Sequence, residues 1–350
     1  MTSPLVRPFA ASPFSPSKKL SIEPETLKSW LPVDAIIEGE QPAIEWMNLG
    51  DVEFREPFFN ETLVRANAIQ KRPTIVTELD ALLQLERISD SLEPSGFIFH
   101  SSRCGSTLLA NACRALSRSI VIAEAPVLDK IASRFFTDAE PGSPKELLYK
   151  LFLRAAVSAL GQRRRGDEQH YFVKFACTTT LQMNRIRNIW PDVPFVFLYR
   201  DPVEVIVSNL KSIPEWMQPE SNPATAAAIV GVNQNEVSNL SPEEFCARAL
   251  GGFFAEALAN RSDGTKFINY AALTPDTILE AIEFWGVVCA AEEADAIRRV
   301  SRLYSKDLTG RQTFTTDTAS KRASASNDVI KAANQWAQGG YERLSNPVHE

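Results

Sequence analysis

The chain has 350 residues, a length that fits one large α/β domain plus an N-terminal elaboration, and its 44% hydrophobic and 23% charged residues imply a folded soluble protein. A net charge of −6 and a pI near 5.4 argue against nucleic acid or an anionic membrane as partner, so any anionic ligand must be met by locally placed basic residues. The five cysteines (Cys104, Cys113, Cys177, Cys246, Cys289) form no C-x-x-C pair and no metal-ligand spacing with histidine, which predicts reduced core thiols, a cytoplasmic location and no metal.

Residues 1–19 form a Pro/Ser-rich arm with Pro4, Pro8, Pro13 and Pro16 and no signal-peptide apolar region. No run in the chain approaches the ~18 apolar residues of a membrane span. Ile22 to Leu31 suggest a short helix with Pro24 near its start. Residues 43–70 mix charged residues with Trp46, Phe54, Phe58 and Phe59, as expected of a small subdomain or lid whose rings serve packing. Thr77 to Ser89 read as a helix. These segments predict an N-terminal arm and small subdomain over 1–90, followed by an α/β domain over 91–350.

The stretch Gly96-Phe-Ile-Phe-His-Ser-Ser-Arg-Cys-Gly-Ser-Thr-Leu-Leu109 carries the strongest functional signal. An apolar run ends in small polar residues around Gly105. It passes directly into Leu108, Leu109, Ala112, Cys113 and Leu116 at helical spacing. A buried strand, a tight loop and a helix N-terminus make an anion site, because backbone N–H groups converge there and the helix dipole favours negative charge. Ser102, Ser106 and Thr107 add hydroxyls, and Arg103 adds a fixed positive charge. The expected guest is a phosphate or sulfate ester.

Two familiar loops fail on specific residues. The triphosphatase P-loop needs a lysine where Ser106 stands and a first glycine where His100 stands. A cysteine-dependent phosphatase needs an arginine six residues after Cys104, where the chain has Ala110.

Farther on, Ser119-Ile-Val-Ile-Ala-Glu-Ala-Pro126 reads as a strand with Glu124 at its end, and residues 127–165 look helical, closing on Arg163-Arg164-Arg165. Tyr171-Phe-Val-Lys-Phe-Ala176 is a further strand. Val193 to Ser208 read as a buried strand feeding a helix, with Asp201 as N-cap, Pro202 at the first helical position and Glu204 completing a capping-box pattern. Arg200 thus stands at the carboxyl end of the strand, the edge where open α/β sheets bind ligands. Ser208 follows eight residues later. Residues 212–244 read as a long loop with short helices. Thr318-Ala-Ser-Lys-Arg-Ala323 is a late basic patch.

Ser102-Arg-Cys-Gly-Ser-Thr107 resembles the 5′-phosphosulfate loop of sulfotransferases that use 3′-phosphoadenosine 5′-phosphosulfate (PAPS). The Arg200…Ser208 pair is similar to that family's 3′-phosphate site, and Tyr171–Ala176 looks like its strand ending in Lys-Thr-His, with Lys174 at the lysine. Thr265–Leu273, followed by Asp276–Gly286, looks like the family's late strand, Tyr-x-x-Leu turn and helix. The matches occur in family order over roughly residues 96–286.

The resemblance implies a central parallel sheet flanked by helices, in a P-loop-like sulfotransferase architecture. It implies PAPS as co-substrate and a small-molecule or glycan acceptor. It assigns Ser102, Arg103, Cys104, Gly105, Ser106 and Thr107 to the 5′-phosphate, Arg200 and Ser208 to the 3′-phosphate with Lys321 and Arg322 as candidates, and Arg103 and Lys174 to the reacting group. Ala176 stands at the family's base histidine and cannot take a proton, so Glu124 is the expected base. The alternatives are a kinase-like phosphotransferase, which lacks its lysine, and a non-catalytic nucleotide-binding or scaffold protein, favoured by Ala176.

Overall fold

A computed structural model of the chain describes residues 23–37, 42–50, 52–137, 139–301 and 318–346. The expected arm over 1–19 lies outside the described residues.

Five short strands, β4 (Gly96–His100), β5 (Ser119–Ala123), β6 (His170–Lys174), β7 (Phe195–Tyr199) and β8 (Thr265–Asn269), form one parallel sheet in the order β5-β6-β4-β7-β8. Their apolar runs fit strands covered on both faces: β4 and β7 are buried at every residue, whereas the edge strand β8 is only partly so. Phe97, Phe99, Phe175 and Phe195 pack ring on ring between sheet and helices, with centroids 4.9 to 5.6 Å apart. Each such buried ring contributes about 1.5–3 kcal/mol. The expected α/β class with a central parallel sheet flanked by helices is the observed one.

From β4 the chain crosses to β5 on one side, while from β7 it continues to β8 on the other. The carboxyl ends of β4 and β7 therefore flank a crevice at a topological switch point, where such sheets place ligands.

Ahead of this sheet, β1 (Trp30–Ile36), β2 (Ala43–Asn48) and β3 (Thr74–Glu78) make an antiparallel sheet in the order β1-β2-β3. β1 packs on the helices Pro126–Thr137 and Pro144–Leu160, and Trp46 and Leu31 join the same apolar cluster as Phe97 and Phe99.

Two local expectations are corrected here. The helix read over Ile22 to Leu31 shrinks to a 3-10 turn, Pro24–Leu27, before β1 begins. The helix read from Thr77 is strand β3 followed by a helix only over Asp80–Glu86; β-branched Thr74, Ile75, Val76 and Thr77 prefer the pleated surface. Among the described residues no helix is long and apolar enough to cross a membrane, and no group of three or more His, Cys, Asp or Glu side chains is arranged to hold a metal ion.

Candidate active site

A cavity of about 350 Å³ opens at the carboxyl ends of β4, β5, β6 and β7. That lies in the range of about 300–1,000 Å³ usual for ligand sites.

The β4 loop forms its floor. Ser102 (φ +67°), Arg103 (φ +48°) and Gly105 (φ +86°) all take left-handed backbone, which turns the chain sharply into the helix Ser106–Arg114. Such a conformation costs a non-glycine residue on the order of 1–3 kcal/mol and persists only where neighbours over-determine it. The neighbours here are specific. Ser102 N–H donates to His100 Nδ1 (3.1 Å), and Arg103 Nε donates to Asn209 Oδ1 (3.0 Å) while its terminal nitrogen reaches the Ser212 carbonyl (3.0 Å). A side chain at Gly105 would collide with Leu273, so only glycine suits both the backbone and the space. The Cys104 thiol is buried and donates to the Leu198 carbonyl; burial pushes its pKa up to about 11, which leaves it a poor nucleophile.

On the β5–β6 side, Glu124 Oε1 pairs with Lys174 Nζ and lies 3.4 Å from His100 Nε2. Lys174 is fully buried, while 28% of the Glu124 side chain is exposed. Burial alone would raise the Glu124 pKa, but the charge of Lys174 and the contact with His100 hold it well below the ordinary carboxylate range. Burial and then the charge of Lys174 lower the His100 pKa, so the ring stays neutral. The Phe58 ring covers the Lys174 ammonium at 5.2 Å. Asp129, in the first turn of Pro126–Thr137, accepts from Thr179 Oγ1 (3.2 Å). Burial and the neighbouring Glu124 raise its pKa to about 7.

At the end of β7, Arg200 is only 4% exposed. Its guanidinium pairs with Glu204 at 2.7 Å, donates to the Arg103 carbonyl (3.3 Å) and stacks on Tyr270 at 3.8 Å. Asp201 caps the helix Pro202–Lys211 by accepting from Glu204 N–H. The Glu204 carboxylate does not reach back to complete the expected capping box; it holds Arg200, Thr318 and Arg322 instead, because a buried guanidinium demands a counter-charge.

The cavity thus brings together Ser102, Arg103, Cys104, Gly105, Ser106, Thr107, Glu124, Lys174, Arg200, Ser208 and Lys321. Arg322 is not among its walls. Residues 318–323 form a short helix, and consecutive helical side chains diverge, so Lys321 faces the cavity while Arg322 pairs with Asp201 (2.7 Å) and Glu204 (3.3 Å).

Sequence reasoning missed Asn209, Phe58, Tyr270, Trp216 and Asp129. Asn209 stands next to Ser208, so its helix placed it near the loop. Asp129 follows Glu124 in the first turn of the next helix, a position that pattern reading could have flagged. Phe58 carried no signal beyond its hydrophobicity.

No protein-family model matches the chain, and no curated protein matches it by sequence. Solved structures do resemble it. The sulfotransferase STF9 from Mycobacterium avium aligns at 12% identity over 79% of this chain and 84% of its own, with a TM-score of 0.41. The sulfotransferase domain of the olefin synthase from Synechococcus PCC 7002 aligns at 16% identity over 71% and 95%, with a TM-score of 0.39. The sulfotransferase domain from the curacin biosynthetic pathway aligns at 15% identity over 70% and 98%, with a TM-score of 0.38.

Proposed function

We propose that the chain is a sulfotransferase that moves a sulfuryl group from PAPS to the hydroxyl or amine of a small-molecule or glycan acceptor. One observation carries this reading: Arg103, Lys174, Arg200 and Lys321 line a single cavity with the N-terminus of the helix Ser106–Arg114, and the cavity also holds one depressed-pKa carboxylate, Glu124. Such a concentration of cations on a chain of net charge −6 suits a ligand bearing more than one phosphate-like group. The left-handed loop fits the same group, since it brings backbone close to a tetrahedral anion with no side chain at Gly105 to intervene.

In this reading Ser106, Thr107 and the loop N–H groups hold the 5′-phosphate, and Arg200, Ser208 and Lys321 hold the 3′-phosphate. PAPS supplies the activated sulfuryl group. Arg103 and Lys174 offset negative charge that develops at the leaving oxygen, which is where fixed cations lower the barrier. Glu124 takes the acceptor proton. Its low pKa makes it a weak base while Lys174 pairs with it. A loose transfer needs little deprotonation before the bond to sulfur forms, and Lys174 drawn toward the leaving oxygen returns basicity to Glu124. Ala176, which lines the cavity at the end of β6, contributes no proton acceptor.

The test is transfer of labelled sulfate from PAPS to a panel of phenols, alcohols, amines and glycans. Stoichiometric appearance of adenosine 3′,5′-bisphosphate with a labelled product is expected. Tight bisphosphate binding with no transfer to any acceptor would favour a non-catalytic nucleotide-binding role.

A further inference from the structure

Strained backbone flanks one imidazole on two sides. Ser102 and Arg103 on the β4 loop and Glu124 after β5 all have positive φ (+67°, +48° and +54°) without being glycine. Between the two segments stands His100, the last residue of the central strand, with only 5% of its surface exposed. Its Nδ1 accepts from Ser102 N–H at 3.1 Å. A ring nitrogen that accepts cannot carry the proton, so the proton of the neutral ring is on Nε2. Nε2 is buried, makes no hydrogen bond of normal geometry and lies 3.4 Å, an ion-pair distance, from Glu124 Oε1. Lys174 Nζ meets the same oxygen. Lys174 therefore bonds Oε1, and the nearest carboxylate oxygen to Nε2 is the same atom.

We propose that His100 is a positioning residue: it locks the anion loop through Nδ1 and, through Nε2–H, turns the Glu124 carboxylate so that Oε2 faces the acceptor. This rests on the sulfotransferase reading only for what Glu124 then does; the coupling of loop to carboxylate is a property of the free protein. Burial and Lys174 keep the ring uncharged, so the coupling does not switch off near neutral pH. The groups facing the ring are Glu124 after β5 and Lys174 on β6, with the Ser102 amide from the loop.

The experiment is long-range proton–nitrogen NMR of the histidine rings in the full chain from pH 5.5 to 8.5. The sequence has three histidines, so loss of one ring system in His100→Asn assigns the signal. The expected pattern is a neutral Nε2–H tautomer at neutral pH, with any titration below the ordinary imidazole value, and an Nε2 shift that moves in Glu124→Gln. An Nδ1–H tautomer, an imidazolium titrating near its ordinary pKa, or indifference to Glu124→Gln would overturn the proposal.

Two variants separate the ring's two bonds. His100→Asn keeps an acceptor near the Nδ1 position, and His100→Gln keeps a donor near Nε2. With calorimetric titration of adenosine 3′,5′-bisphosphate and turnover side by side, His100→Asn should bind nearly as the parent does. Its kcat should fall by about tenfold to a hundredfold, the scale of a hydrogen bond to a charged group, and His100→Gln should recover part of that loss. Parallel losses of binding and turnover in both variants would make His100 merely structural. If the parent transfers sulfate to no acceptor, the functional reading fails while the ring spectra still decide the coupling.

Discussion

At the β7 end of the cavity Arg200 is matched by a carboxylate, Glu204, whereas at the β4 end Arg103 is held by neutral acceptors, Asn209 and the Ser212 carbonyl. Exposure explains the difference. Arg200 is almost wholly enclosed, and an enclosed charge is tolerated only with a counter-ion. Arg103 reaches partly into solvent and keeps its net charge. An arriving anion therefore meets a cation already balanced at one end and one that is electrostatically free to respond at the other. Lys174 resembles Arg200 in this respect, since Glu124 balances it. Lys174 and Arg200 are thus paired with carboxylates, and a bound anion would have to share them.

The sharpest break is Glu124→Gln, which keeps shape but removes the proposed proton acceptor. Turnover should fall by roughly 10²–10⁴-fold. Binding of adenosine 3′,5′-bisphosphate should hold or tighten, because the substitution removes the charge that balances Lys174. Near-normal turnover with a proven acceptor would place the base elsewhere.

Arg200→Ala comes next. Affinity for the bisphosphate should fall by about tenfold to a hundredfold, as expected for lost charge-assisted contacts. An analogue lacking the 3′-phosphate should be nearly unaffected, and equal losses for both ligands would contradict the assignment.

Glu204→Gln addresses the comparison itself. Releasing Arg200 from its counter-charge should tighten bisphosphate binding several-fold, roughly the effect of a partly screened ion pair. It should also speed hydrogen exchange over Thr318–Ala323, which Glu204 holds through Thr318 and Arg322. Weaker binding would mean that Glu204 orients Arg200 more than it competes for it.

The smallest effect concerns pH. Burial and Glu124 raise the Asp129 pKa to about 7, so the folded state holds this proton more tightly than the unfolded chain does. The folded form therefore binds more protons between the ordinary carboxyl range and about pH 7, and the Asp129 contribution to stability declines as pH rises through that window. Glu124 acts in the opposite sense, losing its contribution as pH falls into the acid range. Asp129→Asn removes only the first dependence, so its Tm relative to the parent should improve between pH 5 and pH 8. A constant offset across that range would refute the assigned shift.

The parallel sheet and the loop were legible because their signals are local: apolar runs of five residues, a glycine that only a left-handed turn requires, and a proline-led helix after Asp201. Arg200 was placed by its position at a strand end, and Ser208 and Lys174 by the family resemblance. What local patterns could not convey was which side chains pair. Nothing in the order of residues says that Glu204 turns from its own N-cap to Arg200, or that Phe58 reaches Lys174 from a segment more than a hundred residues away. Lys321 and Arg322 were equivalent as neighbours in sequence; helical geometry alone separates them. The β3 strand was misread because its five residues are followed at once by a helical turn, and the pattern of the helix ran back over it.

Calorimetric titration of the unmodified chain with adenosine 3′,5′-bisphosphate, run beside ATP with magnesium, tests the central claim most directly. In the proposed reading the cavity should bind the bisphosphate at least about tenfold more tightly, because Arg200 and Ser208 would engage a 3′-phosphate that ATP lacks and Ser106 stands where a triphosphate would need a lysine. Equal or tighter binding of ATP with magnesium would contradict the account and point to phosphoryl transfer.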